Sequence, residues 1–212
     1  VRSFITDPQG IEDKSMQIIE EILGAKKQQF SPAELAIIKR VIHTTADFEY
    51  ADLFSASPGA ITAGLKAFKE GNQVIVADTN MIVSGVNKGL LSSYNSKVEC
   101  LVAEGETRRE ALAAGVTRSM INIRRASEKY PGAIYAIGNA PTALYELLQL
   151  IEDGRVQPAL VIGVPVGFVE AEESKEALLQ SDVPHILIRG RKGGSTVAVA
   201  IINAMLKLAG KE

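Results

Sequence analysis

Few side chains in this sequence can do acid–base or nucleophilic chemistry. Among 212 residues there are two histidines, His43 and His185, and one cysteine, Cys100. A structural zinc cluster needs about four nitrogen or sulfur ligands, so one is close to excluded. A single thiol makes no internal disulfide, which points to a reducing, cytoplasmic compartment. His43 falls in a helix that starts at Ser31-Pro32-Ala33-Glu34, a serine cap with proline at the first position and a capping-box glutamate. The helix should run to about Thr44. Ile37, Ile38, Val41 and Ile42 form its apolar face, and His43 projects to the other side beside Lys39 and Ala36, with Arg40 near. Imidazole ordinarily changes charge near neutral pH, so His43 reads either as a solvent-exposed histidine or as a proton donor. His185 opens an apolar strand after Pro184 and reads as structural.

A second chemistry is anion binding. Arg189-Gly190-Arg191-Lys192-Gly193-Gly194-Ser195-Thr196 reads as a strand end, a glycine-rich turn and a helix start near Ser195. N–H groups at such a start bind anions, and glycine lets a ligand come close. It is not a Walker A loop, because Gly194 stands where that motif has lysine. Gly138-Asn139-Ala140-Pro141-Thr142 has the same form, with Asn139 either a cap or a ligand. The spacing predicts one long helix over about Thr107 to Lys129, striped by Leu112, Val116, Met120 and Ile123. Arg118 would sit in its middle, off the stripe and near Asn122 and Arg125. It is either a solvated cation or a carboxylate clamp. No GxGxxG follows a candidate strand, so a nucleotide-binding oxidoreductase has little support.

The elements that position these residues divide in two. A helical region covers about 8–70. It has an apolar stripe in Ile11–Leu23 (Met16, Ile19, Leu23), and a helix opened by Ser57-Pro58 and closed by Gly71. Over about 73–212, β-branched runs alternate with helices. The predicted strands are Val74–Ala77, Val98–Val102, Ala133–Ile137, Ala159–Gly163 and His185–Arg189. Continuously apolar strands are covered on both faces. The expectation is a single α/β domain over 1–212, with an open, mostly parallel sheet and helices on both faces. Ligands then bind beyond the carboxyl ends of the strands. The segment Val1–Glu12 lacks a signal-peptide run, and no stretch reaches the roughly 18 apolar residues of a membrane span. With 23 basic and 25 acidic residues and a net charge of -2, a general nucleic-acid binder is not expected.

The motifs, taken in order, resemble the precorrin-8X methylmutase family, including its cobalt-precorrin-8 form, over essentially the whole chain. They are Asp13-Lys14-Ser15, Val41-Ile42-His43-Thr44-Thr45 with Asp47 and Phe48, Ser57-Pro58-Gly59-Ala60, Asp78-Thr79-Asn80-Met81 and Thr117-Arg118-Ser119. Gly138 to Leu144, Gly163 to Val169 and Arg189 to Ser195 complete the set. Met16 departs from the family, which often carries a bulkier apolar residue there.

The resemblance implies an isomerase of cobalamin biosynthesis. Such an enzyme moves a methyl group from C-11 to C-12 of a corrin precursor to give hydrogenobyrinic or cobyrinic acid. It implies His43 as the catalytic proton donor, with Ser15 and Thr79 near the ring. Arg40, Arg118, Asn139, Arg189, Lys192, Gly193, Gly194 and Ser195 are the expected substrate-binding groups, and Val164-Pro165-Val166 an apolar wall. It also implies a homodimer with the active site at the interface, and no cofactor or protein metal site, any cobalt belonging to the substrate. The competing expectation is a non-catalytic tetrapyrrole carrier on the same fold.

Overall fold

A computed structural model of the chain describes residues 6–210, so readings that touch residues 1–5 and 211–212 lie outside it. In α1 (Pro8–Leu23), the Asp7 side chain accepts from the Gly10 N–H at 2.7 Å and Gly24 closes the helix. In α2 (Pro32–Thr45) the capping box forms as expected: Ser31 Oγ accepts from Glu34 N–H, and Glu34 accepts from Ser31 N–H at 2.8 Å. Ile37, Ile38, Val41 and Ile42 are buried. Fully burying such a side chain is worth about 1.5–3 kcal/mol, enough to fix which face of α2 turns outward. Next come α3 (Tyr50–Leu53), β1 (Phe54–Ala56) and α4 (Ala60–Glu70).

The α/β part begins with β2 (Val74–Ala77), α5 (Asn80–Gly85), α6 (Lys88–Ser93) and β3 (Lys97–Glu99). It continues through α7 (Gly105–Ala114), α8 (Arg118–Lys129), β4 (Ile134–Ile137) and α9 (Pro141–Glu152). It closes with β5 (Leu160–Gly163), α10 (Ala171–Leu179), β6 (His185–Ile188) and α11 (Ser195–Ala209). The sheet order is β1-β6-β5-β4-β2-β3, parallel throughout except for β1, which pairs antiparallel with β6. The mostly parallel α/β expectation therefore holds. Strand β1 was not foreseen: three half-buried residues between helices carry too short a pattern to read.

Alternate strand residues enter two separate cores. Ile75, Ala77, Ile134, Ala136, Leu160 and Ile162 face α2, α4 and α11. Val76, Tyr135, Ile137, Val161 and Leu187 face α8 and α9. Covering both faces is why the strands read as unbroken apolar runs.

The single helix expected over Thr107–Lys129 is two helices. Gly115 adopts φ 65 and ends α7, and Thr117 caps α8 by accepting from the Met120 N–H at 3.2 Å. A left-handed residue stops a helix, and glycine takes that conformation at least cost. The break undoes the expected stripe, since Leu112 is 76% exposed. It also moves Arg118 from mid-helix to the first residue of α8.

Candidate active site

His43 is exposed on the face of α2 turned away from the core. It opens onto a groove of about 430 Å³ whose lining includes Arg40, Thr44, Met81, Thr196 and Lys207. Arg40 and Lys207 donate to the same oxygen of Glu12, at 2.6 and 2.8 Å. Lys207 and Arg40 hold the Glu12 carboxyl down at about 2, far below the ordinary carboxylate range. This triad keeps one net positive charge beside His43. A second groove of about 530 Å³, lined by Met16, Leu35 and Lys39, shares Glu12, Arg40 and Lys207 with the first.

The glycine turn after β6 sits next to this groove, since Thr196 of α11 lines it. Gly193 has φ 152, and a Cβ there would lie 2.2 Å from the Val164 carbonyl oxygen, so the turn packs directly on backbone. Gly194 N–H donates to that same carbonyl at 2.8 Å. Helix α11 starts without a side-chain cap. Its first N–H groups are therefore available to an outside acceptor. Thr79 Oγ1 and Ser195 Oγ pair at 2.9 Å, which joins the start of α5 to the start of α11. Lys192 is engaged within the protein: its ammonium donates to Asp47 and, at 2.8 Å, to Glu49. Arg189 is exposed, and its backbone N–H donates to the Leu53 carbonyl at 2.8 Å.

Strand order reverses between β2 and β4, where open parallel sheets usually bind ligands. Here the protein supplies its own anion. The buried Asp78 carboxylate accepts from the N–H groups of Gly138, Asn139 and Ala140 at 2.9, 2.8 and 2.7 Å. Burial pushes the Asp78 carboxyl up, against the pull of these donors. Asn139 is exposed and precedes the cap residue of α9, Ala140, so only its side chain is left for a ligand. Arg118 is exposed and forms no ion pair among the described residues. Beside it, Thr117 and Thr142 hydroxyls pair at 3.0 Å, which brings the starts of α8 and α9 together.

The structure thus gathers His43 and Arg40 in one groove, with Thr79, Ser195 and the Gly193–Gly194 turn beside it. Arg118 and Asn139 lie at the carboxyl end of the sheet, outside the groove lining. Ser15 lies on α1, outside both grooves, and its hydroxyl donates to the Ile11 carbonyl at 2.8 Å. Sequence reasoning missed the roles of Asp78, Glu12 and Lys207. Only Asp78 had a usable signal, a carboxylate directly after an apolar strand. His185 is buried, with Nδ1 2.9 Å from the Val183 carbonyl, which agrees with a structural role. No helix among the described residues is long and apolar enough to cross a membrane.

Comparison with known proteins places these features in context. The family model for precorrin-8X methylmutase matches residues 10–208. The cobalt-precorrin-8 methylmutase of Priestia megaterium is 46% identical, covering 98% of this chain and 91% of that protein. The precorrin-8X methylmutase of Pseudomonas aeruginosa is 40% identical over 95% of this chain and 96% of its own length. A crystal structure of precorrin-8X methylmutase from Thermus thermophilus superposes with a TM-score of 0.85 at 42% identity, covering 94% of this chain and 96% of that one. With an ordered match in sequence and in fold along nearly its whole length, the chain belongs to the precorrin-8X methylmutase family.

Proposed function

We propose that this protein is an isomerase of cobalamin biosynthesis that converts precorrin-8X or cobalt-precorrin-8 to the corresponding corrin, with His43 as proton donor. The observation that carries this reading is the exposed His43 in a groove flanked by Arg40, Lys207 and the uncapped start of α11. The substrate is a macrocycle bearing several carboxylates around an apolar rim. Cations and helix N–H groups suit the carboxylates, and Met81 and Val166, both exposed, suit the rim. Arg118, Arg189 and the Asn139 side chain, at the same end of the sheet, are proposed to meet further carboxylates. Ser15 and Thr79 are proposed to hydrogen-bond the ring.

The reaction balances within one molecule. The bond from C-11 to the methyl carbon breaks, the bond from C-12 forms, and no external oxidant, reductant or methyl donor takes part. His43 shifts the tautomeric equilibrium of the ring by giving a proton or hydrogen bond, a contribution of about 10²–10⁴-fold. Cobalt, where present, is part of the substrate. The proposed assembly is a cytoplasmic homodimer with the site at the interface. Phe168 and Val169, 86% and 79% exposed beside the glycine turn, support a covered surface there.

Incubation with precorrin-8X and with its cobalt form, followed by absorbance, tests the reading. Appearance of the corrin chromophore is expected with at least one form. Binding without conversion would instead identify a carrier.

A further inference from the structure

The glycine turn leads into the uncapped start of α11, and its carbonyl oxygens would repel a ligand carboxylate there unless they were held away from it. Three consecutive carbonyls are held. Arg191 C=O accepts from the Gly167 N–H at 3.2 Å, Lys192 C=O from Lys175 Nζ at 2.8 Å, and Gly193 C=O from the Tyr50 hydroxyl at 3.5 Å. The middle donor is unusual. Lys175, on α10, is fully buried, and among the described residues it forms no salt bridge. Among the described residues its side chain has one hydrogen bond, to the Lys192 carbonyl. Burying an ammonium without a carboxylate costs folding free energy. Lys175 belongs to neither apolar core cluster, and α10 also buries Ala171, Ser174 and Leu178.

We propose that Lys175 is a positioning residue for the carboxylate-binding turn. From the buried side, its ammonium fixes the Lys192 carbonyl away from the ligand and sets a positive charge behind the start of α11. Ligand carboxylates then meet N–H groups and a favourable potential rather than carbonyl oxygens. Burial draws the Lys175 ammonium down to about 8, with Glu172 and Glu176 pulling it back. The inference rests on the methylmutase reading and adds to it a residue that touches neither ring nor proton.

Steady-state kinetics with precorrin-8X and absorbance titration with the corrin product, on the full chain, test it. Lys175→Met removes donor and charge at similar size. KM and the product dissociation constant should rise about tenfold, the scale of one lost charged hydrogen bond, while kcat stays within about threefold. Lys175→Gln keeps a donor without the charge and should fall between Met and wild type. It also carries the test if the Met variant does not fold. Wild-type KM in a folded variant, or a loss confined to kcat, overturns the inference while leaving the methylmutase reading intact. Absence of turnover in the wild type removes that reading and the inference with it.

Discussion

The His43 groove and the glycine turn are built from different materials. The groove is made of side chains on exposed helix faces, where Arg40 and Lys207 share Glu12. The turn is made of backbone, held by three neighbouring side chains: Lys192 on Asp47 and Glu49, Tyr50 and Lys175 on its carbonyls. Ion pairs at a partly exposed surface are weak and adjustable. Packed backbone is neither, as the 2.2 Å approach at Gly193 shows. On the proposed reading, the proton chemistry belongs to the adjustable half, and the rigid half adds a fixed grip on the ligand.

Substitutions should separate the two halves. The largest effect belongs to the groove. His43→Ala is expected to fold, to keep product affinity within a few-fold and to lose about 10²–10⁴ of kcat, read by steady-state kinetics. Gly193→Ala should act the other way. Its Cβ would collide with the Val164 carbonyl, so the turn must shift and product affinity should fall by about tenfold or more, read by titration. Comparable damage to kcat alone would break the division. Arg118→Ala removes an exposed, unpaired guanidinium at the start of α8. It should raise KM several-fold with kcat preserved, and an unchanged KM would exclude the clamp.

The smallest effect is on stability. Glu12 is an acid whose folded-state value, about 2, lies below its ordinary 4.5. Its contribution is present above about pH 4.5 and is lost as pH falls towards 2. Partial exposure limits it to less than about 1 kcal/mol. Thermal melting across that window should show a shallower acid loss in Glu12→Gln than in the wild type.

The groove half was the more legible in the sequence, because side-chain types and helical spacing are written there directly. The capping box at Ser31 and the four apolar residues of α2 placed His43 outward, and the structure agrees. The parallel strands were legible for the same kind of reason, as apolar runs between helices. Backbone states are written more faintly. Leu112, Val116, Met120 and Ile123 have helical spacing across a break that one left-handed glycine imposes. Lys175 sits among charged and polar neighbours in Glu172-Glu173-Ser174-Lys175-Glu176, with nothing in their types to mark it as buried. Only tertiary packing of α10 against α9 and β6 buries it. Asn139 and Lys192 are expected ligand groups through their place at strand ends and through the resemblance. The structure shows the Asn139 N–H held by Asp78 and the Lys192 ammonium held by Asp47 and Glu49.

The most direct test mixes precorrin-8X with His43→Ala and with the wild type in parallel and follows the absorbance spectrum. The account predicts the corrin spectrum in the wild type, and in the variant a bound but unconverted precursor. Conversion by His43→Ala at the wild-type rate would contradict it.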